Sequence, residues 1–231
     1  MLGVAIPLYN EAARLPQVVG AVVRALSAAP LPFRLALVNN GSTDATGAAI
    51  EALAGLDPRL LALHLSANAG YGGGICAGVE ALLQDEAITH VGWTWGDGQV
   101  DPVVFLPLID ALLHQGARLA KARRVRREDG LERLFVTRVY GLCTRGLGIA
   151  TPDVNGCPKL MDRAAYQELA PRHRAWFLDA EVVIGAEARG WRIVDAPCTM
   201  GPRLAGRSKV RPSTALAFLR DLARWRLTGQ P

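Results

Sequence analysis

A lone carboxylate, Asp97, sits between glycines in Gly92-Trp93-Thr94-Trp95-Gly96-Asp97-Gly98-Gln99-Val100-Asp101-Pro102. The residues leading into it, Thr89 to Thr94, read as a buried strand, and an α/β sheet builds its ligand crevice at such strand ends. Two further turns carry polar groups after apolar runs: Ile6-Pro7-Leu8-Tyr9-Asn10-Glu11 and Asn39-Asn40-Gly41-Ser42-Thr43-Asp44. Three strand ends of this kind imply one shared ligand site. Asp97 offers a carboxylate and Gln99 an amide oxygen, both hard oxygen donors.

The elements that must hold these turns follow from the hydrophobic pattern. Leu2 to Ile6, Arg34 to Val38, Leu60 to Leu65, Thr89 to Thr94 and Arg118 to Ala122 read as strands; Glu11 to Ala28, Thr43 to Ala54, Tyr71 to Leu83 and Pro102 to His114 read as helices. This alternation is the signature of βαβ units and predicts an α/β fold. Ser42 or Thr43 is expected to cap the second helix, and Pro30 and Pro32 to close the first. The second half is less regular, with a basic loop, a helix from Leu131 to Leu147, a short strand near Lys159 to Met161 and a helix around Asp179 to Arg189. Trp93 and Trp95 are expected to diverge, one into the core and one into the crevice.

With 231 residues, half of them hydrophobic, the chain can bury a full core and suits one domain. Its four cysteines are widely spread with no CxxC pair, which argues against a zinc site or a disulfide framework. A strand starts almost at Met1 and no apolar run approaches a membrane span, so a cytoplasmic protein without signal peptide is expected. The net charge of +5 is concentrated in Lys121, Arg123, Arg124, Arg126, Arg127, Arg133 and Arg138. No aromatic residues interleave these cations in the manner that stacks single-stranded bases, which disfavours nucleic acid. Most of them read as a solvated charged face. The histidines are scattered without ligand spacing.

Four segments occur in a telling order: Pro7-Leu8-Tyr9-Asn10-Glu11, Asn39-Asn40-Gly41-Ser42-Thr43-Asp44, Trp95-Gly96-Asp97-Gly98-Gln99-Val100-Asp101-Pro102 and Arg203-Leu204-Ala205-Gly206-Arg207-Ser208-Lys209. They resemble the PxYNE, DDGSxD, DADGQxDP and RxxGxSK motifs of the family 2 glycosyltransferases, most nearly the dolichyl- and polyprenyl-phosphate mannose and glucose synthases. The resemblance runs from residue 2 to residue 210. It implies a single Rossmann-like GT-A domain with a mostly parallel central sheet flanked by helices, spanning 1–212, with a basic helix and tail at 213–231. It also implies an inverting transfer of a hexose or aminosugar from a nucleoside diphosphate sugar, GDP-mannose or a UDP-sugar, to a polyprenyl phosphate.

Carried over residue by residue, the resemblance places Pro7, Tyr9, Glu11, Asn39, Asn40, Gly70, Trp95, Gly96 and Asp97 along the donor. Arg123, Arg133 and Thr137 correspond to positions holding the acceptor phosphate, Arg203 and Lys209 to cations near the diphosphate, and Asp97 with Gln99 to the holders of Mg²⁺ or Mn²⁺. Guanidinium forks suit phosphate, and the four-residue step from Arg133 to Thr137 puts both on one helical face. The chain also departs from the pattern: Trp95, Asn39 and Asn40 stand where the family has Asp. An Asn keeps an acceptor oxygen but adds a donor and loses the charge, so nucleotide binding survives these changes better than metal binding.

Several readings stay open. Asp179 and Glu181 follow Trp176-Phe177-Leu178, where family members with hydroxyl acceptors carry a general base. On that alternative the acceptor is a hydroxyl of a soluble small molecule or glycan; otherwise the two acids are a helix-start pair tied to Arg172 or Arg174. Loss of three family acids also allows a non-catalytic relative that binds sugar nucleotides. Asn68 to Gly74 is either an anion-binding helix start or a turn whose glycines let a helix pack closely on the sheet. Asp44 reads as a helix-start acid. The basic stretch Thr214 to Leu227 either packs on the domain or rests on anionic lipid at the inner face of the membrane.

Overall fold

The computed structural model describes residues 1–127, 144–145, 149–201, 220–221 and 224–225. Seven strands form one sheet: β1 Leu2–Leu8, β2 Phe33–Asn40, β3 Leu60–Leu65, β4 His90–Trp93, β5 Leu119–Arg127, β6 Lys159–Asp162 and β7 Ile193–Met200, in the spatial order β3-β2-β1-β4-β6-β5-β7. All run the same way except β6, which is antiparallel to both neighbours, β4 and β5. Six α-helices are described: α1 Leu15–Ser27, α2 Thr46–Leu56, α3 Gly70–Leu82, α4 Phe105–His114, α5 Arg163–Leu169 and α6 Leu178–Ala188, with a 3₁₀ turn at Pro102–Val104 before α4.

The period-2 pattern of the strands divides the core into two layers. Leu2, Val4, Ile6 and Leu8 of β1 pack with α1, α2 and α4 on one face, whereas Ala5 packs with α3, α5 and α6 on the other. In α1 the buried Leu15, Val18, Val19, Val22 and Leu26 recur at helical spacing, and Pro in the first turn is preorganised for the helix. The close seat of α3 on the sheet depends on glycine. A Cβ on Gly78 would lie 2.7 Å from both Ala5 Cβ and Val38 Cγ2.

The structure corrects three expectations. The second helix begins at Thr46, and neither Ser42 nor Thr43 caps it. Instead, Asn10 N–H donates to Ser42 Oγ at 3.1 Å, and Thr43 N–H donates to Asn10 Oδ1 at 2.9 Å, which stitches the β1 turn to the β2 turn. The first helix starts at Leu15, past Glu11. Two elements escaped the sequence reading, the short helix α5 and the strand β7. The helix expected over Leu131 to Leu147 lies outside the described residues except at 144–145.

Among the described residues no helix is long and apolar enough to cross a membrane. Cys76, Cys157 and Cys198 are buried free thiols. Near the C-terminus, Arg220 and Arg224 are exposed, Trp225 packs against the α3/α6 layer, and Asp221 Oδ2 lies 3.4 Å from His173 Nε2. At these positions the segment packs on the domain with its arginines outward.

Candidate active site

Chain reversal in strand order occurs at β1, whose neighbours β2 and β4 are reached by crossovers in opposite directions; that arrangement opens a crevice at the C-terminal strand ends. The three turns picked out by sequence, after β1, β2 and β4, all lie on that edge. They touch. A Cβ on Gly74 would stand 3.0 Å from both Pro7 Cβ and Asn40 Nδ2, and one on Gly96 would stand 2.5 Å from Leu8 Cδ2. Glu11 N–H donates to Thr46 Oγ1 at 2.8 Å, and the Glu11 carboxylate pairs with Arg14 Nε at 2.8 Å with both side chains buried. Asp44, expected at a helix start, accepts from Thr46 N–H at 2.9 Å and from Ala12 N–H at 3.3 Å. Burial pushes its carboxyl up, but the hydrogen bonds from Thr46 and Ala12 outweigh this and hold it below the ordinary value.

Both asparagines act on their own chain. Asn39 Oδ1 accepts from Ser42 N–H at 3.0 Å, and its amide nitrogen lies 3.1 Å from His64 Nδ1. Asn40 is buried; it donates to Gly70 O at 2.9 Å and accepts from Ala69 N–H at 2.9 Å. Gly70 itself has φ +80°, and a Cβ on Gly72 would lie 2.2 Å from His173 O. The glycines of 70–74 thus serve close backbone approach, to the 173–175 segment as well as to the sheet.

Asp97 is partly exposed and its Oδ1 accepts from Gln99 N–H at 3.1 Å. Gln99 is buried, donates its amide to Gly201 O at 3.0 Å, and accepts Gly201 N–H on its own carbonyl at 2.8 Å. Its contacts clamp the Asp97 turn onto the end of β7. Among the described residues no three His, Cys, Asp or Glu gather in a way that could hold a metal ion. Mg²⁺ commonly takes one or two protein carboxylates and completes its shell with phosphate oxygens, so Asp97 together with a diphosphate would suffice to hold such an ion.

Trp93 is wholly buried in the core and Trp95 only partly, as expected, yet the N–H edges of both lead to Asp179. Trp93 Nε1–H donates to Asp179 Oδ1 at 3.1 Å; Trp95 Nε1–H donates to the Tyr71 hydroxyl at 3.0 Å, which donates in turn to Asp179 Oδ2 at 3.0 Å. Asp179 Oδ1 also pairs with Lys159 Nζ at 2.8 Å, with the lysine side chain wholly buried and the carboxylate 3% exposed. Burial, with the Asp179 charge added, pushes the Tyr71 hydroxyl well above its ordinary range and keeps it protonated. Glu181 accepts from the backbone N–H groups of Arg172 at 3.0 Å and His173 at 2.9 Å, so of the two acids Glu181 alone is tied to the 172–173 backbone.

Two cations counted in the solvated basic face belong to the interior. Lys121 is wholly buried and pairs with Asp195 at 2.8 Å. Arg124 forks onto both oxygens of Asp153, while its guanidinium carbon lies 5.4 Å above the Trp95 ring. A register shift between Arg124 and Arg126 at the end of β5 marks a bulge, the device that re-aims side chains at sheet rims. Arg123 is exposed beside it. Arg133, Thr137, Arg203 and Lys209 lie outside the described residues. Sequence reasoning overlooked Tyr71, Arg124, Asp153 and Lys159. The one available signal was Lys121, set between Ala120 and Ala122 in an expected strand.

The family model described as glycosyl transferase family 2 matches residues 3–170. An uncharacterized glycosyltransferase of Mycobacterium tuberculosis is 31% identical over 229 residues, covering 97% of this chain and 96% of that protein. The polyprenol monophosphomannose synthase of Mycolicibacterium smegmatis is 27% identical over 237 residues, covering 98% of this chain and 87% of that one. Among solved structures, glucosyl-3-phosphoglycerate synthase from M. tuberculosis, in complex with Mn²⁺, UDP-glucose and phosphoglyceric acid, superposes with a TM-score of 0.72 at 20% identity, over 100% of this chain and 80% of that one. This likeness shows the GT-A fold.

Proposed function

Since this chain belongs to glycosyl transferase family 2 and is a glycosyltransferase, we propose that it moves a hexose or aminosugar from a nucleoside diphosphate sugar to a polyprenyl phosphate. The observation that carries the acceptor assignment is the state of the two candidate bases. Asp179 is buried with both oxygens engaged, and Glu181 holds backbone N–H groups. A hydroxyl acceptor must lose a proton during attack, whereas a phosphate acceptor is already anionic and needs no base. The similarity to a polyprenol monophosphomannose synthase over nearly the whole chain supports the same acceptor class.

In this reading the base and ribose lie along Pro7, Tyr9, Glu11 and Asn39, with Asn40 and Gly70 shaping the wall, and the diphosphate reaches Gly96 and Asp97. Asp97 would hold Mg²⁺ or Mn²⁺, which when bound neutralises charge on the diphosphate. Arg123, with Arg133 and Thr137, orients the acceptor phosphate. Its oxygen attacks the anomeric carbon as the bond to the diphosphate breaks, inverting the configuration and releasing nucleoside diphosphate. Arg203 and Lys209 screen that leaving group. Catalysis comes from alignment and charge neutralisation rather than from proton transfer.

A second reading is transfer to a soluble acceptor, favoured by the fold neighbour whose structure contains phosphoglyceric acid. The test is a panel of GDP- and UDP-sugars incubated with purified protein, Mg²⁺, Mn²⁺ or chelator, with and without a short polyprenyl phosphate. Metal-dependent glycosylation of the lipid phosphate is expected. Nucleotide-sugar turnover onto phosphoglycerate or another soluble hydroxyl, with none onto the lipid phosphate, would overturn it.

A further inference from the structure

We propose that Trp95 is the platform on which the transferred sugar stacks, and that Tyr71 is the positioning residue that fixes its plane; this rests on the nucleotide-sugar reading above. The strand ends along the crevice run in the order β2, β1, β4, β6, β5. Asn39 and Asn40 close β2, Pro7 and Tyr9 mark the end of β1, Trp95 to Asp97 follow β4, and Arg124 lies toward the end of β5. A nucleotide sugar laid along this edge, base at β2 and β1 and diphosphate at Asp97, brings its sugar next to the side of Asp97 on which Trp95 meets β5.

Trp95 is built to be rigid there. Its edge is held by the Tyr71 hydroxyl at 3.0 Å, and Tyr71 is held by Asp179 at 3.0 Å and by stacking on Trp176 with centroids 4.4 Å apart and planes at 11°. Asp179 is fixed by Lys159 at 2.8 Å and Trp93 at 3.1 Å. Over the ring stands Arg124, itself locked by Asp153. Trp95 is partly exposed, as is Asp97 two residues on. A pinned apolar plane next to a diphosphate site suits the C–H face of a pyranose, and the pinning lowers the ordering cost of binding.

The discriminating quantity is affinity for a nucleotide sugar relative to its free nucleoside diphosphate. Calorimetric titration of wild type, Trp95→Ala, Trp95→Tyr and Tyr71→Phe would use UDP, UDP-glucose, GDP and GDP-mannose. Trp95→Ala is expected to weaken the sugar-bearing ligand about five- to tenfold while leaving the free diphosphate unchanged. Trp95→Tyr should restore most of the loss. Tyr71→Phe, which keeps the ring on Trp176, should weaken the sugar-bearing ligand about threefold. Equal losses for both ligand types, or none, overturn the platform while leaving the glycosyl-donor reading in place. If wild type binds none of the four, that reading fails and takes the platform with it.

Discussion

Asn40 donates its side-chain N–H to the carbonyl of Gly70, 2.9 Å away, and so ties the end of β2 to the first turn of α3. This bond explains why an amide suits a position where the resembled DDGSxD motif has Asp. A carboxylate could still accept from Ala69 N–H, but it would face the Gly70 carbonyl with no proton to share. Asn40→Asp should therefore lower unfolding free energy by about 1–3 kcal/mol, read as a drop in the urea midpoint at unchanged slope. An unaltered midpoint would mean that the segment re-pairs elsewhere.

Asp97 is the carboxylate assigned to the diphosphate and its ion, and its turn is held independently by Gln99 on Gly201. Asp97→Ala should reduce transfer by on the order of 10²-fold with the melting temperature nearly unchanged. Transfer within a factor of about two of wild type would remove Asp97 from the mechanism, since loss of an oriented charge contact costs far more.

Asp179 is predicted to matter for stability before chemistry. Asp179→Ala strands Lys159 as an unpaired buried cation, a change that costs about 3–5 kcal/mol in buried pairs. Replacing both, Asp179→Leu with Lys159→Met, should recover much of the loss in a denaturant titration. A single variant that folds with wild-type stability yet turns over slowly would instead restore the general-base reading.

Acid should loosen the β5 end through Asp153. Burial pushes its carboxyl up, but hydrogen bonds and charge from Arg124 outweigh this and hold it below the ordinary 3.8. A depressed folded pKa gives stability that is present above the unfolded value and lost as pH falls through the folded one. Urea midpoints measured from pH 5 downward should fall more steeply for wild type than for Asp153→Asn. Parallel curves would show that the pair contributes nothing to acid sensitivity.

The elements framing the crevice were legible because their apolar patterns are long and their neighbours punctuate them. β3 is found at the limits read from sequence, Leu60–Leu65, and α3 within one residue at each end. β7 was hidden by Asp195 and Pro197, residues that argue against a strand. Only the sheet order reveals why they are tolerated: among the described strands β7 lies at the sheet edge beside β5, with an isolated Val100–Met200 bridge at its end, and Asp195 meets the buried Lys121.

By itself the sequence determined the α/β class and the three polar turns, because hydrophobic period and turn chemistry act over a few residues and need no partner. Its motif spacing also carried the family resemblance. Tertiary structure decided what the charged and aromatic groups do. Lys121, Arg124 and Lys159 find their carboxylates at Asp195, Asp153 and Asp179, between 20 and 74 residues away along the chain. Trp93 and Trp95 are joined to Asp179 across the core, the latter through Tyr71. Whether such a group is solvated or buried and paired depends on which strand ends the sheet brings together, and no local pattern encodes that distance.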